Sequence, residues 1–331
     1  MEWLRPTCLR TNVRWRYIIL MKTFIKRILT IALFLCLIIV PVVAYGLFVV
    51  CPQYHNAYTA AMNDKVGKLQ TTECRKIVLV GNSNVAFGFR SDMIEEAFGI
   101  PVVNAGLHGA IGNAFHEQVC KINPHEGDIY IVCHTSFDDN DSVSAKEAWI
   151  TIENNFSLWK LIRLKDIDSM VKGFPSYLAR CYELYSEHTG NLSEGGHYTR
   201  SAFNEYGDMA VPRTERVVEF SPGGIYISPI GDKCTKRLNN LSKYLEKRGA
   251  KLVMAGYPIP DTEFTPSDEE YDKLTSELKE IYEFPVISDY KTYKMDQDLF
   301  FDTVYHLNDE GVIVRTQKLI EDIRNSGILD E

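Results

Sequence analysis

Apolar positions along this chain fall into three rhythms. Residues 28–50 run for 23 positions without a charged side chain, long enough to cross a hydrocarbon core of about 30 Å as a helix. Further on, short apolar runs recur at 76–80, 101–104, 128–134, 250–258 and 284–289. Each closes on a turn signal, the pattern of a strand buried on both faces. Between these runs lie amphipathic segments with helical period at 91–98, 109–122, 232–248, 267–282 and 308–325. Their ends carry the expected marks. Ser91 stands at one start and Gly99 at the stop, Ser267 and Glu270 match a capping box, and Asn308 precedes Asp309 and Glu310. Strand and helix alternating at this spacing predict βαβ units and an α/β fold, a three-layer sandwich around a mostly parallel five-stranded sheet.

The alternation breaks between residues 135 and 230. Residues 138–141 are acidic and loop-like, 145–186 hold helical patches, and 190–201 are rich in glycine and serine. A span this long inside an α/β domain reads as a largely helical insertion, and long insertions commonly serve as covers or accessory elements. Its aromatics, Trp149, Trp159, Phe174, Tyr177, Tyr182 and Tyr185, suit a small core of their own; a carbohydrate-stacking surface is the alternative. Residues 51–75 read as a polar linker with some helix. The chain thus divides into a segment 1–27, an anchor 28–50, the linker 51–75 and a domain 76–331 interrupted by 135–230. No internal repeat or low-complexity tract is present.

Charge orients the first part. Residues 1–27 hold seven bases and one acid, Glu2. The positive-inside rule keeps such a segment cytoplasmic and exports the remainder of the chain, giving a single-pass cell-membrane protein with its domain outside the cytoplasm. A cleaved signal peptide is the alternative, although signal h-regions run only about 7–15 residues. Cys51 comes after Val50 rather than a small residue, which argues against a lipid-modified cysteine. Met21 opens a more ordinary basic leader, MKTFIKR, so translation starting there is a further alternative.

The net charge of −8 conceals an asymmetry, because residues from 51 onward carry 29 bases against 43 acids. Nothing resembles a basic stripe for nucleic acid. Six cysteines lie beyond the apolar run, without a CxxC pair or Cys/His ligand spacing, so neither a metal nor a cofactor is expected. Cys120 and Cys133 suit buried thiols.

Two stretches carry candidate chemistry. The first apolar run ends in Gly81-Asn82-Ser83-Asn84, at the carboxyl end of a strand, where open α/β sheets place their sites. Gly81 can adopt a tight turn, lifting Ser83 at the strand tip; an ordinary turn with a capping Asn or Ser is the plain alternative. The second stretch, 299–311, brings Asp302 and His306 just before the last helix. A histidine can take a serine proton near neutrality, and a carboxylate on its other nitrogen holds the tautomer. His108 and His134 suit a turn residue and a satisfied polar group.

These residues together resemble the SGNH (GDSL-like) hydrolase superfamily, in which a serine lies after the first strand and Asp and His come late. The matching positions are Ser83, Asp302 and His306, and the family's oxyanion glycine corresponds to Gly106 in Asn104-Ala105-Gly106. Asn82 replaces the usual Asp. Three residues rather than two separate Asp302 from His306. The third-strand block reads Cys133-His134-Thr135-Ser136-Phe137 in place of a Gly-x-Asn-Asp context. Asn104, Thr135 or Ser136 would then have to supply the missing donor, and one such donor can contribute about 3 kcal/mol to barrier lowering. The anchored layout also resembles membrane-linked envelope members of the superfamily, among them the D-alanyl-lipoteichoic acid transfer and alginate O-acetylation proteins.

The resemblance implies a flavodoxin-like sheet and a Ser83–His306–Asp302 triad, with Ser83, Gly106 and Asn104 as oxyanion-hole residues. The expected activity is ester hydrolysis or O-acyl transfer on an acylated cell-surface polysaccharide, with a membrane acyl-donor partner left open. A catalytically silent binding or assembly protein of the same fold is the second expectation. A nucleotide-binding sheet is disfavoured, since no GxGxxG or GxxxxGK[ST] string occurs.

Overall fold

A computed structural model describes residues 8–153, 155–190 and 196–329. The beginning of the basic segment, including Glu2 and Arg5, lies outside the described residues, as does 191–195 of the Gly/Ser-rich loop. The chain divides into two compact units at Pro52.

The first unit is one long helix, α1 (Cys8–Tyr45), which runs through Pro41 and continues as a π-helical turn, Gly46–Val50. Its stretch Tyr17–Val50 contains an 18-residue window with a mean hydropathy of 2.9 and is long and apolar enough to cross a membrane. The helix begins well before residue 28, where charges cease. Met21 therefore falls inside a continuous helix rather than at a boundary.

The second unit starts at Gln53. Residues 53–75, expected as a polar linker with some helix, belong to this unit. They hold α2 (Met62–Thr71), whose Met62, Lys65, Val66 and Leu69 are buried at helical spacing. The polar residues between them face outward, which is why the stretch looks like linker in one dimension.

The α/β rhythm comes next: β1 (Ile77–Val80), α3 (Ser83–Ala86), α4 (Ser91–Phe98), β2 (Val102–Asn104), α5 (Asn113–Val119) and β3 (Ile129–Val132). After the insertion, which holds α6 (Ala145–Ile152) and α7 (Ile167–Glu187), come α8 (Asp232–Glu246), β4 (Lys251–Met254), β5 (Ile259–Asp261), α9 (Asp268–Ile281), β6 (Lys294–Asp296) and α10 (Asp309–Ser326). The main sheet is parallel with strand order β2-β1-β3-β4. Ile77 pairs with Val102 on one side and Ile129 on the other, and Ile129 pairs with Lys251.

The sheet has four strands, not five. The segment expected as the fifth meets β4 at one parallel bridge, Met254 with Val286. Met254 N–H donates to the Pro285 carbonyl and Ile287 N–H to the Met254 carbonyl, both at 2.9 Å. Pro285 has no N–H to give, which limits how far a ladder can extend there. The chain instead builds a second, two-stranded parallel sheet from β5 and β6, which the apolar pattern did not announce.

Alternation along the strands sends side chains to two separate cores. Val78, Val80, Tyr130, Val132, Leu252 and Met254 pack with residues of α2, α5 and α8. Ile77, Leu79, Ile129, Ile131 and Val253 pack with Ile94 of α4 and Leu319 and Ile323 of α10. The insertion's aromatics pack on one another and against the first of these cores, which Ala148, Ile152, Leu158, Leu161 and Met170 join. Trp149 lies 5.3 Å from Trp159, 4.8 Å from Phe174 and 5.6 Å from Tyr177 between ring centroids, and its indole N–H donates to the Met170 carbonyl at 2.8 Å. Tyr177 is buried and Trp149 and Phe174 are half-buried in this packing, while Trp159 and Tyr182 remain exposed. Cys120 and Cys133 are buried free thiols.

Candidate active site

The strand order reverses between β1 and β3, and a doubly wound sheet opens a crevice at such a point. The loops after these two strands carry Gly81–Asn84 and Thr135. Gly81 is required for room rather than for its backbone freedom. A Cβ there would stand 2.6 Å from Val85 Cγ2 and 3.0 Å from the Cys133 carbonyl oxygen. Asn82 caps α3, its Oδ1 accepting from Asn84 N–H at 2.9 Å and from the Asn84 amide at 2.7 Å. Its own amide crosses the crevice to Thr135 Oγ1 at 2.9 Å. Ser83 is the first helical residue and is half-buried. Among the described residues neither its Oγ nor its N–H has a hydrogen-bond partner.

Asn84 is the keystone beneath this turn. Wholly buried, it donates to the Cys133 carbonyl at 2.9 Å and accepts from Arg315 Nη2 at 2.8 Å. Arg315 of α10 is also fully buried, and its guanidinium donates to the Asn84 and Gly256 carbonyls. A four-residue helix leaves its carbonyls without intrahelical partners; Arg315 supplies a donor to one of them, while its ring-facing surface lies 4.1 Å from Phe89. Sequence inspection missed Arg315, which looks like any base on an amphipathic helix.

The late pair forms. Residues 300–307 close as a hairpin through the Phe300–Leu307 bridge, and Thr303 Oγ1 accepts from the N–H groups of Tyr305 and His306. This turn absorbs the third intervening residue and brings His306 Nδ1 to Asp302 Oδ1 at 2.8 Å. A carboxylate only accepts, so Nδ1 carries the proton and Nε2 keeps its lone pair. Nε2 has no hydrogen-bond partner among the described residues. Burial pushes the His306 pKa down, Asp302 opposes this, and Arg213 and His108 add to the depression; the result lies below the usual 6.5. Burial pushes Asp302 up, but its bonds from His306 and Tyr198 outweigh that and leave its pKa lowered. At neutral pH the pair is therefore a carboxylate and a neutral imidazole.

Phe87 joins the two stretches. It caps the C-terminal end of α3 one turn after Ser83, its N–H donating to the Ser83 carbonyl at 2.9 Å. Its ring stacks on His306 at 4.1 Å between centroids and 6° between planes. No hydrogen bond joins Ser83 Oγ to His306. Apo sites often hold such pairs loosely until substrate arrives.

The insertion completes the surroundings. Tyr198 OH donates to Asp302 Oδ2 at 2.5 Å and lies 3.4 Å from His306 Nδ1. Arg213, nearly fully buried, sits 5.4 Å from the Phe87 ring centre and pairs with Asp309 at 3.7 Å. Tyr58, from the stretch expected as linker, lies within 5.6 Å of Tyr198 and 6.3 Å of Phe87. Tyr198 and Arg213 carry no sequence signal, since they sit in the stretch without rhythm.

The two expected oxyanion residues besides Ser83 are engaged elsewhere. Asn104 is fully buried; its amide donates to the Val85 carbonyl at 3.0 Å and Asp208 at 2.8 Å, and its Oδ1 accepts the Gly106 N–H at 2.9 Å. Gly106 is pressed against α3, where a Cβ would meet Ala86 N at 2.6 Å. Together they buttress the back of the Ser83 helix, and neither offers a free donor. Thr135 accepts from Asn82, and Ser136 Oγ lies 3.3 Å from Ser228 Oγ. The open donor near the turn is Gly109, exposed and packed on Asn82, whose N–H has no acceptor among the described residues.

His108 caps the short helix that starts at Gly109, accepting from Ala110 N–H at 3.0 Å. His134 is buried against Glu117 at 3.1 Å. Among the described residues no three His, Cys, Asp or Glu side chains converge as metal ligands.

The arrangement offers a serine hydroxyl without a partner, a neutral imidazole held by a carboxylate, and unpaired N–H groups at Ser83 and Gly109. No family model matches the chain, and no curated protein matches it.

Proposed function

We propose that this protein is an SGNH-like serine esterase or O-acyltransferase, held at the cell membrane by α1 with its second unit outside the cytoplasm. In this reading Ser83 Oγ attacks the carbonyl carbon of an acyl ester while His306 Nε2 takes the hydroxyl proton. The bond to the leaving alcohol then breaks, and His306 returns that proton to the departing oxygen. Water or an acceptor hydroxyl, deprotonated by His306, next attacks the acyl-serine and frees Ser83. Asp302 keeps the imidazole in the useful tautomer and stabilises its charged form. The N–H groups of Ser83 and Gly109 receive the developing oxyanion. An acylated cell-surface polysaccharide is the proposed substrate, with water exclusion deciding between hydrolysis and transfer.

The observation that carries this reading is the 2.8 Å Asp302–His306 bond, with Nε2 unpartnered and the imidazole stacked on Phe87, one helical turn from Ser83. The outward orientation rests on the bases that precede α1's apolar stretch. A second reading, a binding protein of the same fold, draws on the missing Ser83–His306 hydrogen bond. A fluorophosphonate probe on the full chain in detergent separates the two. The enzyme reading expects labelling of wild type, none of Ser83→Ala, and slowing by about 10⁴-fold in Asp302→Asn. A folded wild type that takes no label across neutral and mildly alkaline pH overturns it in favour of the binding protein.

A further inference from the structure

The second unit is strongly acidic, yet one cavity reverses the sign. It has a volume of about 490 Å³ and lies where α5, the stretch from Asp141 to Lys165 and α8 meet. Six basic side chains line it against two carboxylates, Glu117 and Asp141. Both carboxylates already have partners. Glu117 accepts from Arg237 Nε at 2.5 Å and bonds His134 Nε2, and Asp141 takes the Lys165 ammonium. Lys233 and Lys236, exposed in the first turns of α8, pair with no carboxylate among the described residues.

Two guanidinium groups are left incomplete in the same cavity. Arg163 is held through Nε and Nη2 by Asp166 and the Asp141 carbonyl, with Asp141 Oδ2 4.0 Å from its Nη1, and Arg237 through Nε by Glu117 and through Nη2 by Cys234 Sγ at 3.5 Å. The Nη1 atom of each is buried without a hydrogen-bond partner. Asp166 and Glu117 balance the charges of these two arginines, so the arms offer donors still without a hydrogen-bond acceptor, which is costly for buried groups. The net positive charge comes from Lys121, Lys233 and Lys236. The Lys233 N–H in the first turn of α8 already donates to Asp139 Oδ1 at 2.7 Å; side chains, not a helix end, make this site.

We propose that this cavity binds a phosphate group, free or esterified, so that the protein recognises a phosphorylated ligand away from Ser83. Guanidinium forks match the oxygens of phosphate and carboxylate alike. Charge density makes the choice: a phosphate monoester places about two charges on the oxygens of one group, whereas a polycarboxylate such as citrate spreads its charges over separate groups. The cavity shares no lining residue with the Ser83 turn, and the proposal stands independently of the esterase reading. The two are nonetheless adjacent through the fold. Glu117 holds His134, and His134 directly precedes Thr135, which holds Asn82.

Calorimetric titration of the full chain in detergent, with inorganic phosphate, pyrophosphate, glucose 1-phosphate and citrate, tests this. Pyrophosphate or glucose 1-phosphate binds more tightly than citrate, and the affinity falls as salt is raised. Tighter binding of glucose 1-phosphate points to an esterified ligand, and of pyrophosphate to a free one. The double variant Lys233→Gln/Lys236→Gln changes only exposed side chains; it melts like wild type and binds on the order of tenfold more weakly. Absence of binding by all three phosphates, citrate binding as tightly as they do, or unchanged affinity in the double variant overturns the proposal.

Discussion

The two halves of the candidate site are held by different parts of the molecule. The Ser83 turn belongs to the α/β frame. Asn82, Asn84, Thr135 and Arg315 lock it with hydrogen bonds that run from β1 to β3 and α10. The Asp302–His306 pair sits on a loop, and its electrostatics, dominated by burial and by the pair's own bond, are adjusted by the insertion through Tyr198 on Asp302 and Arg213 beside the imidazole. One half is therefore positioned by backbone and buried amides, the other tuned by side chains from an accessory region. A change in the frame should cost stability first and reactivity as a consequence. A change in the insertion should alter the pH response and leave the fold intact.

The largest effect is expected where the frame is broken. Arg315→Met leaves the Asn84 and Gly256 carbonyls and Asn84 Oδ1 without their buried donor, at a cost of about 3 kcal/mol or more in stability. Urea unfolding measures this directly, and any Ser83 labelling should fall with it. A variant as stable as wild type would show that the turn does not depend on α10.

Next come two buried titrating groups, one from each region. His116 in the frame is fully buried, with Nε2 3.1 Å from the His108 carbonyl oxygen, and burial pushes its pKa down to about 4. Glu153 in the insertion accepts from Gln53 N–H at 2.9 Å and Tyr177 OH at 3.0 Å, yet burial pushes its pKa up to about 7. The signs oppose. The His116 contribution is complete above its unfolded value of 6.5 and is lost as pH falls toward 4. The Glu153 contribution is complete below its unfolded value of 4.5 and is lost as pH rises through about 7. Between those unfolded values the two slopes, each up to about 1.4 kcal/mol per pH unit, largely cancel. Glu153→Gln removes one of them, so its stability should drop more steeply than wild type on acidification across this window. Parallel stability curves for the two proteins would remove the contrast.

The smallest effect tests the tuning. Tyr198→Phe deletes the donor to Asp302 Oδ2. The carboxylate then turns more of its charge toward His306, whose pKa rises. The acid limb of the hydrolysis or labelling profile should move to higher pH, with a loss of about threefold to tenfold near neutrality. Thermal stability should stay close to wild type. An unshifted profile would show that the insertion does not reach the chemistry.

The same division separates the features legible in one dimension from those that were not. Strands β1 to β4 announce themselves because a strand buried on both faces must be continuously apolar. The Ser83 turn and the Asp302–His306 spacing were visible as local residue types. Residues 53–75 and 284–289 were legible only in part, for opposite reasons. A helix with one buried stripe looks polar on average, and an apolar run containing Pro285 looks like a full strand although it bridges only once.

By itself, the order of residues determined an apolar helix at the start, a parallel α/β sheet after it, and the local residue types of the Ser83 turn and of the Asp302–His306 pair. Those features depend on periodicity and on neighbours within a few positions. Only the tertiary structure decided that Asn104 and Gly106 support α3 from behind, that Arg315 braces Asn84, and that Tyr198 meets Asp302. Each of these depends on contacts between residues distant in the chain, and whether a polar group is free or engaged is settled by the neighbours that folding brings beside it.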